Sequence, residues 1–164
     1  MPTTLLDHLK DMHDHMAWAD AVWFEAWGRS DARGDEDLRA RVRHMVDVET
    51  AFLQVLDGRD VAFDRESPLP SYEALRQATR EHHAAYRALL DGLDPAGLAR
   101  EVVIPWFPGP PCVISVDEAL TQVAMHTQHH RGQLMTRLKD LGGRPLNVDY
   151  IIWAWKGRPE GRWT

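Results

Sequence analysis

One cysteine in 164 residues leaves Cys112 without a partner in the chain, which excludes a cross-linked scaffold. Positive charge is also in deficit. Nineteen Lys and Arg against 25 Asp and Glu give a formal net charge of −6, with no basic stripe to replace phosphate counterions, so no nucleic-acid partner is expected. No stretch approaches the roughly 20 consecutive apolar residues of a membrane helix, so no membrane partner is expected either. The first ten residues lack a basic segment leading into an apolar run, and His8, Asp11, His13 and Asp14 interrupt any hydrophobic stretch; a cytoplasmic setting is the expectation. Repeats and low-complexity tracts are absent.

What remains is ordinary, with one exception. A chain that is 44% hydrophobic and 27% charged suits a single domain over residues 1–164, burying roughly two-thirds of its unfolded surface. The exception is histidine, of which there are nine.

Four segments carry helical periodicity. From about Thr4 to Trp27, Leu5, Leu9, Met12, Met16, Ala19, Trp23 and Ala26 recur at steps of three and four. The second segment runs from about Asp37 to Leu56, and Asp57-Gly58 closes it. The third opens at Ser71, whose hydroxyl suits a helix cap, and fades at Asp91-Gly92. The fourth opens at Ser115-Val116-Asp117-Glu118, a capping-box sequence, and stops at Gly142-Gly143 before Pro145. The predicted fold class is all-α, a four-helix bundle. A short loop predicts that the first two helices are antiparallel neighbours. Residues 58–70, at about 3.3 Å each, can span some 40 Å and leave the second and third helices parallel. Val102-Val103-Ile104 and Cys112-Val113-Ile114 around Pro108-Gly109-Pro110-Pro111 predict a small hairpin or irregular insertion before the fourth helix.

Helical phase sorts the histidines. On the fourth helix, at 100° per residue, His130 lies about 50° and His126 about 90° from the apolar centre, whereas His129 points outward at about 150°. Two imidazoles one turn apart can reach a single ion. Thr127, where a zinc protease needs glutamate, excludes that class. His44, on the flank of the second helix, can face the pair if the two helices pack side by side. Three neutral imidazoles would then leave one position open on a divalent cation. Semi-buried hydrogen-bonding histidines are the alternative.

His82 and His83 are expected at the core edge, His8 and His15 either near the mouth of the site or without a chemical role, and His13 and His129 in solvent. Gln133 either orients a ligand histidine or is merely exposed. Gly132, unfavourable inside a helix and facing away from the core, suggests a homodimer contact. Glu49 reads as a buried structural hydrogen-bonding residue and Cys112 as no nucleophile. Trp106, Phe107, Trp153 and Trp155 either wall a pocket or fill the bundle ends. The tail from Lys156 to Arg162 either attracts acidic groups of a substrate or is disordered.

The string His126-Thr-Gln-His-His130-Arg131-Gly132-Gln133 resembles the H-x-x-x-H-R-G-Q signature of the DinB/YfiT-like superfamily. His44-Met45-Val46-Asp47-Val48-Glu49 is similar to that family's second-helix motif, and Leu141-Gly142-Gly143-Arg144-Pro145 to Asp149 to its closing pattern. The resemblance covers most of the chain. It departs at Trp18-Ala19-Asp20, where many members carry Asn, which puts local hydrogen bonding there in question.

The resemblance implies an up-down-down-up bundle and a divalent metal on His44, His126 and His130, Zn2+ first, with Ni2+ or Fe2+ as alternatives. Catalytic residues beyond these ligands stay unassigned. The implied activity is S-transfer from a small-molecule thiol of the bacillithiol, mycothiol or glutathione kind to an electrophilic substrate. Metal-dependent hydrolysis, or a metal-binding stress protein without turnover, are the other readings.

Overall fold

The computed structural model describes residues 3–64 and 66–163. In chain order these form α1 (Leu5–Gly28), a 3-10 turn (Asp31–Gly34), α2 (Glu36–Leu56), α3 (Tyr72–Asp91), α4 (Pro95–Ala99), β1 (Glu101–Ile104), β2 (Cys112–Ser115), α5 (Val116–Asp140) and α6 (Tyr150–Trp155). The four long helices match the four periodic segments to within a residue or so. The short α4 and α6 carry too few residues to show a period.

Each long helix begins on a cap. Thr4 and Asp7 satisfy one another's backbone N–H groups at the start of α1, a capping box in its own right. Asp35 accepts from Leu38 N–H at 2.9 Å, and Ser71 from Ala74 N–H at 3.2 Å. At the start of α5 the Glu118 carboxylate accepts from Ser115 N–H at 2.8 Å and its hydroxyl at 2.9 Å. Gly142, at φ +81°, turns the chain out of α5 in a conformation that glycine adopts without a Cβ clash.

Cross-helix contacts fix the directions. Lys10 pairs with Asp91 and Asp14 with Arg87, so α1 and α3 run antiparallel. Asp35 reaches Arg137 and Glu49 reaches Thr127, so α2 and α5 run antiparallel. Arg39 donates to Pro70 O while Tyr86 donates to Glu49 O, which makes α2 and α3 parallel. His13 meets Leu120 and Asp20 meets Arg131, which makes α1 and α5 parallel. The bundle is up-down-down-up.

One expectation is corrected. Helices α1 and α2 are antiparallel but not neighbours: each packs on α3 and α5, and the two face one another across the bundle. A short connection limits direction and reach, not adjacency. The seven residues 29–35 between α1 and α2 can extend about 23 Å, beyond a bundle diagonal of roughly 14 Å for helices 8–10 Å apart.

Two large apolar clusters fill the bundle, beside a smaller one of Trp18, Ala19, Val148 and Trp153. One apolar cluster holds Leu9, Met16, Phe52, Leu56, Tyr86, Leu90 and Leu120; the other holds Trp23, Phe24, Trp27, Leu38, Met45, Leu75, Leu134 and Leu138. Burying each such side chain contributes roughly 1.5–3 kcal/mol. Between the clusters lie the buried polar residues Asp20, Glu49, Thr79, His83, Thr127 and Arg131. Asp20 accepts from Arg131 at 2.6 Å and from His83 Nε2 at 3.0 Å, joining α1, α3 and α5. Burial alone would raise the Asp20 carboxyl, but Arg131 and His83 outweigh it and hold it below its usual range. The Asp20 departure from the family pattern therefore keeps its hydrogen bonding, through partners far away in sequence.

The hairpin forms as predicted, antiparallel with Val102 opposite Ile114 and Ile104 opposite Cys112. β1 lies against α2 and β2 against α5. No helix among the described residues is long and apolar enough to cross a membrane.

Two further expectations change. His13 is buried at 5% exposure rather than solvated, because Leu120 O accepts its Nε2–H at 3.1 Å and Tyr86 covers its ring. The tail folds back on the bundle, with Arg158 paired to Asp11 and Trp163 against Phe24 and His83. Gly161 lies so close to α1 that a Cβ would meet Ala17 O at 2.7 Å. Gly132 is exposed, and a Cβ there would meet nothing within 4 Å, so the chain's own packing does not demand glycine.

Candidate metal centre

Helix α2 presents His44, and antiparallel α5 presents His126 and His130 one turn apart on the side facing it. His126 Nε2 lies 3.2 Å from His44 Nε2 and 3.1 Å from His130 Nε2. One ligand atom from each ring falls within 4.8 Å of the others, so the three could hold a metal ion. Two nitrogens on a tetrahedral ion with bonds of about 2.0–2.1 Å stand about 3.3–3.4 Å apart, close to the spacings seen. His44 is exposed and the other two are half-buried.

Ring chemistry agrees with the spacing. His130 Nδ1–H donates to Gln133 Oε1 at 2.9 Å, and Arg41 donates to the same oxygen, which marks it as the acceptor. With Nδ1 carrying the proton, His130 Nε2 keeps its lone pair for the centre. Burial, followed by the nearby His130 and His44 rings, pushes His126 from an ordinary 6.5 down to about 4. Burial also lowers His130, against the opposing contact from Gln133. Imidazoles converging in this way form a donor set for a borderline divalent cation such as Zn2+, so the residues fit the group.

Glu49 lies beneath the centre at 1% exposure. His82 Nδ1–H donates to its Oε2 at 3.0 Å and the Thr127 hydroxyl to its Oε1 at 3.0 Å. Both oxygens are engaged, in accord with a structural role. His82 and His83 are thus bound to carboxylates between the helices, as expected of the core edge.

A cavity of about 850 Å³ opens beside the centre, and His44 and His126 are among its lining residues. Trp106 and Phe107, from the loop between the strands, wall it together with Phe52 and Phe63. Trp153 packs elsewhere, with Trp18 and Val148, and Trp155 is exposed and takes neither of the two roles considered. Neither His8 nor His15 borders this cavity. His8 is exposed, and His15 is buried with Nε2–H donating to Val148 O at 2.8 Å, because the segment before α6 covers it. His129 is exposed as expected. Cys112 is half-buried in the cavity lining.

Sequence reasoning missed the Arg131–Asp20 pair, although Arg131 stands inside the signature string. It also missed Phe63, which lies in an irregular segment where no periodicity exists to reveal it. No curated protein matches the chain. The model of the DinB family matches residues 2–161, nearly the whole length, and the chain belongs to the DinB family.

Proposed function

We propose that this DinB family protein is a divalent-metal-dependent S-transferase that joins a small-molecule thiol to an electrophile, with His44, His126 and His130 as the ligands and Zn2+ as the first choice of ion. The observation that carries the reading is the convergence of three imidazole Nε2 atoms, two of whose rings, His44 and His126, line a large apolar cavity. A dication on three neutral ligands keeps its charge uncompensated and favours an anion, such as a thiolate, in its open position.

The chain's own residues supply position. Gln133 holds the His130 ring, and the Trp106 wall offers the electrophile an apolar surface. In the transfer, the thiol gives its proton to solvent, its sulfur forms a bond to the electrophilic carbon, and the leaving group departs with the electron pair of the broken bond. S-transfer suits this cavity better than hydrolysis, because its two carboxylates are already engaged. Asp47 is held by Arg43 at 2.9 Å and Glu118 caps α5, so neither stands free as a base for water. A lone thiol in the chain accords with a reducing, cytoplasmic setting.

Metal analysis of untagged protein, followed by a panel of small thiols with a chromogenic electrophile, tests the proposal. Stoichiometric metal and thiol-dependent turnover lost in His126→Ala are expected; no metal uptake after zinc or nickel addition overturns it. The exposed Gly132 face is where a second copy would dock, and a monomer at high concentration in sedimentation would exclude that dimer.

A further inference from the structure

The cavity beside the three histidines is apolar to an extent that bears on its ligand. Trp106 is the hub of its wall. Phe52 stands edge-on to it at 5.2 Å and 80°, Phe63 at 5.9 Å and 79°, and Phe107 lies 6.2 Å away. Ile104 and Ile114 from the two strands add branched aliphatic surface. Phe63 and Phe107 remain 39% and 59% exposed, so the chain leaves two large rings of this wall uncovered. The volume of about 850 Å³ falls within the roughly 300–1,000 Å³ of small-molecule sites.

Charge is the second observation. Among the described residues, no Lys or Arg lines the cavity, and its only ionisable groups besides His44, His126 and Cys112 are Asp47 and Glu118. A carboxylate brought in here would lose water and find no Lys or Arg among the described lining residues to replace it. An ammonium group gains little, since Asp47 is held by Arg43 and Glu118 by the α5 cap.

We propose that this cavity binds an uncharged, ring-bearing substrate and discriminates against carboxylate-bearing ones. Naming that substrate the electrophile rests on the S-transfer reading; the binding preference does not. The ring lies against Trp106, Phe63 and Phe107, and its reactive carbon points to His44 and His126. Gln122 supplies an uncharged amide, able to orient a nitro, carbonyl or ether oxygen.

A matched pair of probes tests the preference on the full chain after exhaustive dialysis against a chelator. The probes are 1,3-dinitrobenzene and 3,5-dinitrobenzoate, which differ by one carboxylate and lack a leaving group. Metal must be absent, because a carboxylate binds a dication whatever the cavity prefers. Equilibrium dialysis should show the uncharged ring bound at least about tenfold more tightly. Phe107→Ala, at an exposed ring, should weaken that binding several-fold with an unchanged melting curve. Gln122→Arg should narrow the gap between the probes by strengthening the benzoate. Equal or tighter binding of the benzoate, no binding of the uncharged ring, or indifference to Phe107→Ala overturns the inference. If the preference holds but no thiol and electrophile react on the metal-loaded protein, the S-transfer reading falls and the cavity assignment stands. If thiol and electrophile react on the metal-loaded protein but the metal-free protein binds the benzoate as tightly as the uncharged ring, the cavity assignment falls and S-transfer stands.

Discussion

His130 Nδ1 and Gln133 Oε1 lie 2.9 Å apart on one face of α5, and this contact decides which nitrogen of His130 faces His44 and His126. Arg41 donates to the same oxygen, so the amide is anchored from α2 as well. A glutamine three residues after a histidine thereby sets a tautomer at the centre.

Gln133→Ala removes that orientation without touching a ligand. Metal affinity should fall about 10- to 100-fold, the usual consequence of losing an outer partner of a ligand histidine. Competition with a chromophoric chelator measures it, and the helical circular dichroism should not change. Wild-type affinity in this variant would show that ring orientation is set by other contacts.

His126 and His129 are three residues apart on the same helix but differ in phase. His126→Ala should abolish stoichiometric metal binding and with it any melting-temperature rise on adding zinc. His129→Ala should keep both, since its exposed ring lies outside the cluster of three. A loss in both variants would mean that the ion sits elsewhere on α5.

Asp20 and Arg131 form a buried pair, 2.6 Å apart, at the junction of α1, α3 and α5. Asp20→Ala strands the guanidinium at 1% exposure and should cost about 3–5 kcal/mol in urea unfolding. Replacing both partners, as Asp20→Leu with Arg131→Met, should recover much of that loss, because no unpaired charge then remains. Equal losses in the single and double variants would mean that the hydrogen bonds matter more than the charge.

Burial pushes His13 from 6.5 down to about 4, against the opposing contact with Leu120 O. Between those values the unfolded chain binds a proton that the folded chain refuses. The stability this residue contributes is therefore complete above pH 6.5 and is lost as pH falls toward 4. The full shift corresponds to about 3 kcal/mol. His13→Gln, which retains an N–H for Leu120 O, should flatten the decline in urea midpoint between pH 7 and 4.5. A decline as steep as in wild type would assign it to other groups, of which His15, His126 and His130 are also lowered.

Much of the site was legible because it sits on long helices. Phase alone separated His130 from His129 and placed His44 on a flank, and a shared face at 3.6 residues per turn survives in any bundle. The cavity was not legible. Its wall draws on α2, the segment after it, both strands and the loop between them, and irregular backbone leaves no period in a sequence. His13 shows the same limit from the other side: its neighbours Met12 and Asp14 gave no hint of the carbonyl at Leu120, 107 residues away, that accepts its proton.

The sequence by itself determined where the four helices start and stop, that a small hairpin precedes the last, and which three histidines can meet between the second and fourth helices. These are local properties, set by caps, apolar period and turn residues within a few positions of one another. Tertiary structure alone decided that α1 and α2 lie across the bundle from each other, that Asp20 pairs with Arg131, and that aromatic rings gather beside His44 and His126. Those outcomes depend on which faces bury the most apolar surface together, a property of the whole packed chain that no single segment carries.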